Sequence, residues 1–412
     1  MHAVPDATDR LGIRPAPLYI VDPALAARVA APAYDALPPG ERGAPTANDP
    51  LSFLNVLRPP DDGRVGLRTA LRSNSAALEQ MLRNGVFSPG SGARFGWYRM
   101  TVGDHTQTGL IGEVPVADYD SGRILPHEHT RAESEQQLAT YLEVVAADAS
   151  PVSLAYRADD RLRALTRHVT SEPPLLSFTS ADEVTHTLWT TEDSTTIGEV
   201  RAAAGALGRF YITDGHHRFA AAAHIAAANR VAGQHADAPD QWLLAALFPH
   251  DELRILPFHR AVRRPRATTT DQLLDNLRSH VDLRPLSAPR VPDEAHTFTC
   301  YLDGRWFELT VPSTAIGAGP LDSLDVVTLQ QHVLAPVLGV TEPRFDPRLS
   351  YIAGGIEDVV ARCEHTHAVG FLVRATTMEQ LIAVSEAELV MPPKSTRFDP
   401  KPRAGIVLRL TR

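Results

Sequence analysis

The sequence predicts an α/β fold, with α+β as the alternative, on three observations. Two apolar stretches, Ile124-Leu125 and Arg209-Phe210-Tyr211-Ile212, each lead through a short polar turn into a helical pattern. Trp242–Phe248 is an apolar run of strand length rather than helix length. From about residue 265 onward, strand and helix signals alternate.

The elements follow in chain order. Residues 1–60 are rich in proline; Ala31-Pro32-Ala33-Tyr34-Asp35 reads as a turn with an aromatic anchor, and Asn48–Val56 holds a short strand-like run after a proline break. Leu67, Leu71, Leu78 and Leu82 share one face of a helix over 67–84. Phe95–Met100 and Thr108–Val116 form a β-hairpin across a somewhat long loop containing the Gly103-Asp104 turn. Thr130 and Glu133 have capping-box spacing, and Leu138, Tyr141, Leu142 and Val145 then fall on one face, so an amphipathic helix is expected over 131–147. Pro151–Tyr156 is a strand. Arg209–Ile212 is a strand, Thr213-Asp214-Gly215 a turn, and His216–Arg230 an alanine-rich helix suited to close packing on a sheet. Strands at 242–248, 297–302 and 306–311, a helix at 324–338 and strands near 351 and 369–374 complete the pattern. No internal repeat appears.

Composition narrows the function classes. The chain has 412 residues, 43% hydrophobic and 22% charged, which at roughly 150 residues per domain suggests about two or three domains. A net charge of -9 and a pI near 6.0 leave no basic field for nucleic acid or anionic lipid. The two cysteines, Cys300 and Cys363, lack partners at metal-ligand spacing, which points to a reducing compartment. The first residues lack the basic and apolar regions of a signal peptide, and no apolar run spans a bilayer, so a soluble cytoplasmic protein is expected. Of 40 basic residues only Lys394 and Lys401 are lysines, and both lie between Met391 and Pro402.

Three segments carry chemistry. Asp214-Gly215-His216-His217-Arg218 sits where a strand opens directly into a helix, so unpaired backbone N–H groups and the positive end of the helix dipole favour an anion there. Gly215 lets a ligand approach the backbone, and Arg218 can grip a phosphate with two hydrogen bonds. His127-Glu128-His129 lies at the other strand-to-helix junction; Glu128 suits a general base, while His127 and His129 suit a metal. Pro392-Pro393-Lys394-Ser395-Thr396 offers a cation and two hydroxyls but lacks the glycines of a P-loop. His259-Arg260, behind an apolar strand, is a further pair to watch. No dinucleotide-binding glycine pattern follows a strand, and no nucleophile elbow occurs.

Together the Ala31–Asp35 turn, Asn48–Arg58, Pro126-His127-Glu128 with Thr130, Thr213–Arg218 and Met391–Thr396 resemble the domain of unknown function 1015 family over residues 14–411. The Asp-Gly-His-His-Arg segment in turn resembles the loop of free serine kinases in the ParB/sulfiredoxin-like superfamily. That resemblance implies a mixed-sheet core with a strand-to-helix phosphate loop, in which Asp214 is catalytic, Gly215–Arg218 cradle phosphate and Glu128 activates a hydroxyl. Sulfiredoxins carry a cysteine where His216 or His217 stands, so their thiol chemistry is not available at this loop. The basic surface that ParB proteins add is at odds with the charge of -9.

The expectation is a phosphotransferase that uses ATP, ADP or another nucleotide, with Mg²⁺, to phosphorylate the hydroxyl of a free amino acid such as serine. Glu128, Asp214 and His127 form the catalytic set, and Gly215, His216, His217, Arg218, Arg131, Lys394, Ser395 and Thr396 hold phosphate and nucleotide. The alternatives are a metal-dependent hydrolase built on His127, His129, His216 and His217, and a non-catalytic nucleotide sensor. The expected organisation is an N-terminal segment 1–94 packed on a catalytic core 95–265, followed by a C-terminal α/β domain 266–412.

Overall fold

A computed structural model describes residues 12–32, 49–57, 66–148, 150–233, 235, 237–264 and 267–411. The expected aromatic anchor at Ala33, Tyr34 and Asp35, and the ends of the second proline-rich motif, Asn48 and Arg58, lie outside these residues. Two compact units are present, both of mixed α and β structure. One comprises Met1–Leu253 with Pro400–Arg412, and the other Arg254–Asp399.

The first unit is built on an eight-stranded mixed sheet. Its order is Ile124–Leu125, Phe210–Asp214, Val152–Tyr156, Trp242–Pro249, His105–Pro115, Phe95–Val102, Thr185–Thr191 and Leu176–Thr179. The apolar run 242–248 does not alternate with polar residues because both faces of its strand are covered. Leu243, Ala245 and Leu247 pack into a core with Phe219, Ala223, Val200 and Leu162, from helices on one side. Leu244, Ala246 and Phe248 pack on the opposite side with Leu78 and Met81 of the helix Leu67–Arg83.

A small sheet closes that second side in the order Phe87–Pro89, Tyr19–Val21, Val407–Leu410, Ala147–Asp148. The strand Val407–Leu410 is also tied down by a buried charge. Every N–H of the Arg409 guanidinium is used: on Asp148 Oδ2 (2.9 and 2.6 Å), Glu113 Oε1 (2.5 Å), and the carbonyls of Pro239 (2.9 Å) and Trp242 (2.7 Å).

Four local details depart from expectation. The strand-like run expected within Asn48–Val56 ends in a short helix, Leu54–Leu57, where Asn74 Nδ2 donates to the carbonyls of Asn55 and Val56, both at 3.0 Å. The 95–115 hairpin has the two-residue Gly103-Asp104 turn rather than a longer loop, because pairing continues to Val102↔His105. The helix after the His127 segment runs Ala132–Val145, with extended Arg131 at its N-cap and no side-chain cap bond, so the Thr130–Glu133 capping box is not used. It stops short because Ala146 turns left-handed and Ala147-Asp148 pair with Leu410 and Arg409.

The second unit holds a six-stranded antiparallel sheet in the order Asp282–Leu286, Arg305–Thr310, Thr297–Leu302, Ala368–Leu372, His259–Arg263, Leu349–Ile352. A two-stranded ladder, Ile255–Leu256 with Arg397–Phe398, joins its two ends. The expected helix 324–338 is present as Asp325–Leu338 with a π-helical stretch at Gln330–Leu334. Pro336 follows that stretch and has no N–H to donate, which accounts for the widened turn before it.

Candidate functional site

The strand Phe210–Asp214 pairs in parallel with Ile124–Leu125, so both chains leave the sheet at the same end. That pairing brings two motifs 89 residues apart into contact: the backbone N–H of His127 donates to His216 Nε2 at 3.4 Å. The two rings meet edge to face with centroids 4.5 Å apart. On its other side the strand pairs with Val152–Tyr156 through a shift of register, Ile212 facing Leu154 and Asp214 facing Ser153. The extra residue, Thr213, donates its hydroxyl to Ser153 Oγ at 2.8 Å. Such a bulge re-aims the side chain that follows it.

Gly215 is the single residue between the strand and the helix His216–Val231, and it makes the turn at φ +93. This left-handed conformation strains any residue with a Cβ. A Cβ here would also lie 2.9 Å from Arg218 Nη2. Asp214 is buried and engages a cation on each oxygen. Arg218 Nη2 donates to Oδ2 at 2.9 Å, and Lys401 Nζ donates to Oδ1 at 2.5 Å. The other arm of Arg218 donates to the carbonyls of Ser150 (2.6 Å) and Pro151 (3.0 Å). A carboxylate, two cations and a helix N-terminus thus converge on one glycine turn.

Lys401 did not figure among the sequence-derived site residues, although its rarity was a signal for it. A ring of hydrogen bonds fixes the segment that carries it. Arg403 N–H donates to Tyr98 Oη (3.3 Å), Tyr98 donates to His186 Nδ1 (2.7 Å), and His186 Nε2 reaches Ser180 Oγ (3.0 Å). Ser180 donates to Asp182 (2.5 Å), which pairs with the Arg403 guanidinium (2.6 Å). Donation runs from Arg403 N–H through Tyr98 to His186 Nδ1, and Asp182 accepts from both Ser180 and the Arg403 guanidinium, which assigns the Nε2–H tautomer to His186. On the other side of Lys401, Gln107 Nε2 donates to the Pro400 carbonyl at 3.2 Å.

His127 and His216 are uncharged at neutral pH. Burial pushes His127 down to about 4, against the opposing pull of its Ile212 backbone hydrogen bond and the Asp214 charge. Burial, with nearby His127, His217 and Lys401, holds His216 well below its ordinary value. His216 therefore brings no charged ring to a phosphate at this turn. The ring is enclosed against His127, and His216 offers its backbone N–H. His217, Gly215 and Arg218 are half-buried at the start of the helix, and Glu128 is half-buried beside His127. His129 and Arg131 are exposed.

The four-histidine set required by the hydrolase alternative does not assemble. Among the described residues no group of three or more His, Cys, Asp or Glu side chains is placed to hold a metal ion. Mg²⁺ likewise finds no carboxylate cage at the loop, since both Asp214 oxygens already carry cations. The arrangement fits a phosphate, and we assign no protein ligand to the metal.

Lys394, Ser395 and Thr396 belong to the second unit. There Lys394 Nζ lies over the Phe258 ring at 5.2 Å. Ser395 donates its hydroxyl to the Pro392 carbonyl at 2.7 Å. No helix of the described residues is long and apolar enough to cross a membrane.

No curated protein sequence matches the chain. Among solved structures, a free serine kinase in complex with AMP is 13% identical, covering 71% of this chain and 90% of that one, with a TM-score of 0.33. A free serine kinase variant in complex with ADP shows the same identity and coverage at a TM-score of 0.34. C-terminally truncated SbnI from Staphylococcus aureus is 12% identical, covering 71% of this chain and 84% of that one, with a TM-score of 0.36. The sequence profile of the family described as "Protein of unknown function (DUF1015)" matches residues 13–327, and the chain belongs to that family.

Proposed function

We propose that the protein is a nucleotide-dependent phosphotransferase acting on the hydroxyl of a small molecule, a free amino acid such as serine. The observation that carries this reading is the Asp214–Arg218 turn. A left-handed glycine opens a helix N-terminus, and Arg218 and Lys401 are held beside it by one buried carboxylate. Phosphoryl transfer needs positioning and charge stabilisation more than covalent chemistry.

The terminal phosphate of the nucleotide lies against the backbone N–H groups that begin the helix, with Arg218 and Lys401 on its oxygens. Asp214 keeps those two cations in register. The acceptor oxygen attacks the terminal phosphorus, the bond to the bridging oxygen breaks, and the shortened nucleotide leaves. The hydroxyl proton passes to Glu128. His127 and His216, uncharged and enclosed, form the dry wall between the two junctions.

Titration calorimetry with ATP and ADP, followed by a phosphate-transfer assay with serine, tests the reading. A ligand bound only by the folded state also adds about 2.7 kcal/mol at one hundred times its dissociation constant, visible as a rise in melting temperature. Arg218→Ala and Lys401→Met are expected to weaken nucleotide binding at least about tenfold, and Asp214→Asn to abolish transfer in a chain whose circular dichroism is unchanged. Binding without transfer to any small hydroxyl compound would make the protein a nucleotide sensor. Undiminished turnover in Asp214→Asn would overturn the proposal.

A further inference from the structure

In the unit Arg254–Asp399, two motifs of the sequence, His259-Arg260 and Pro392–Thr396, come together. Arg260 lies in the middle strand of three, opposite Tyr351 on one side and Phe371 on the other, and is only 4% exposed. Its guanidinium stacks on the Tyr351 ring at 4.5 Å and donates to two carbonyls, those of Phe258 and, at 2.9 Å, Lys394. No carboxylate of the described residues pairs with it. A buried guanidinium without a counter-charge is costly, and burial pulls Arg260 down to about 10 against the opposing pull of Tyr351.

A second cation shares the neighbourhood. Arg397 is half-buried, has no ion pair among the described residues, and keeps a buried Nε without a hydrogen-bond partner. Arg397 pairs with Leu256, four residues before Arg260 in the chain, and both charges press His259 down below the level to which burial lowers it. The nearby Asp399, whose charge acts on Arg397, makes its ion pair with Arg254 at 3.2 Å. The third cation, Lys394, is exposed but held in the left-handed region at φ 57. Such a conformation persists in a residue with a side chain only where its surroundings enforce it. Here Arg260 holds the Lys394 carbonyl, and Thr376 Oγ1 holds that of Ser395 at 3.0 Å.

We infer that Arg260, Arg397 and Lys394 form an anion site for a phosphate dianion, free or carried on a larger molecule. Three cations that form no ion pair among the described residues suit a dianion better than a single carboxylate, and guanidinium forks match its oxygens. The site stands independently of the nucleotide reading of the Asp214 turn.

The test uses the full chain carrying Arg218→Ala, which removes the phosphate grip at that turn, and titrates inorganic phosphate, ATP and acetate by calorimetry at constant ionic strength. Saturable phosphate binding is expected to remain. Adding Arg397→Gln or Lys394→Ala should weaken it about tenfold, equal to about 1.4 kcal/mol, with acetate showing no saturable binding. Arg260→Gln should abolish it; because that residue is buried, the two less enclosed variants decide the question if this one fails to fold. Comparable affinity for phosphate and ATP would mean that the phosphate group alone is read, and tighter ATP binding would identify a carried phosphate as the ligand. Absence of phosphate binding in the Arg218→Ala chain, or binding unchanged by both Arg397→Gln and Lys394→Ala, would overturn the inference.

Discussion

At the scale of single residues, the site depends on side chains that never touch its centre. Tyr98 is buried with its hydroxyl between Arg403 N–H and His186 Nδ1. Tyr98→Phe leaves a buried donor and a buried acceptor unmatched, which costs about 1–3 kcal/mol. The expected result is a lower urea midpoint with an unchanged slope, and weaker nucleotide binding because Lys401 loses one of its two braces. An unchanged midpoint would remove the ring of hydrogen bonds from the account. Asp214, Gly215 and Arg218 were legible in the sequence because their types and order imply a strand that opens into a helix. Lys401 was not, since its partner lies 187 residues away and only tertiary pairing joins them. Its scarcity in an arginine-rich chain was the one local hint.

At the scale of elements, agreement follows how far local interactions decide the outcome. The helices 67–83 and 216–231 and the strands 242–249 and 297–302 match expectation because an apolar face or run specifies each. The helix 132–145 begins and ends differently because the residues beyond it are claimed by a sheet partner that no local pattern announces. The helix Ser194–Gly205, by contrast, does use a local cap. Asp193 accepts from both the backbone N–H (2.7 Å) and the hydroxyl (2.8 Å) of Thr196, at the start of the helix Ser194–Gly205. Asp193→Ala is expected to cost about 1 kcal/mol, measured by thermal unfolding at neutral pH, with nucleotide binding unaffected. A neutral effect on stability would mean that packing rather than the cap holds that helix.

At the scale of the whole molecule, buried uncharged histidines set the response to acid. His127, His186 and His259 are each held down to about 4 by burial, against an ordinary 6.5. Each is neutral when folded and takes up a proton on unfolding anywhere between those values. Their contribution is therefore complete above about pH 6.5 and is lost as the pH falls toward 4, by about 1.4 kcal/mol per pH unit for each histidine. Buried Asp118 and half-buried Glu252, whose carboxyls burial raises, partly offset this by holding protons in the folded state. A melting temperature that falls between pH 6.5 and 4.5 is expected; a flat profile would contradict it.

The interruption of the first unit by residues 254–399 has a consequence for synthesis on the ribosome. The strand Val407–Leu410 lies between Tyr19–Val21 and Ala147–Asp148, and Lys401 precedes it by six residues. Everything between Arg254 and Asp399 must therefore be translated before the first unit can close. The inserted unit brings its own two ends together in a short ladder, so it can fold during that wait without lengthening the gap its host must close. Until the last strand emerges, the Asp214 turn exists without its lysine, and two strand edges stand open for chaperones or for another nascent chain.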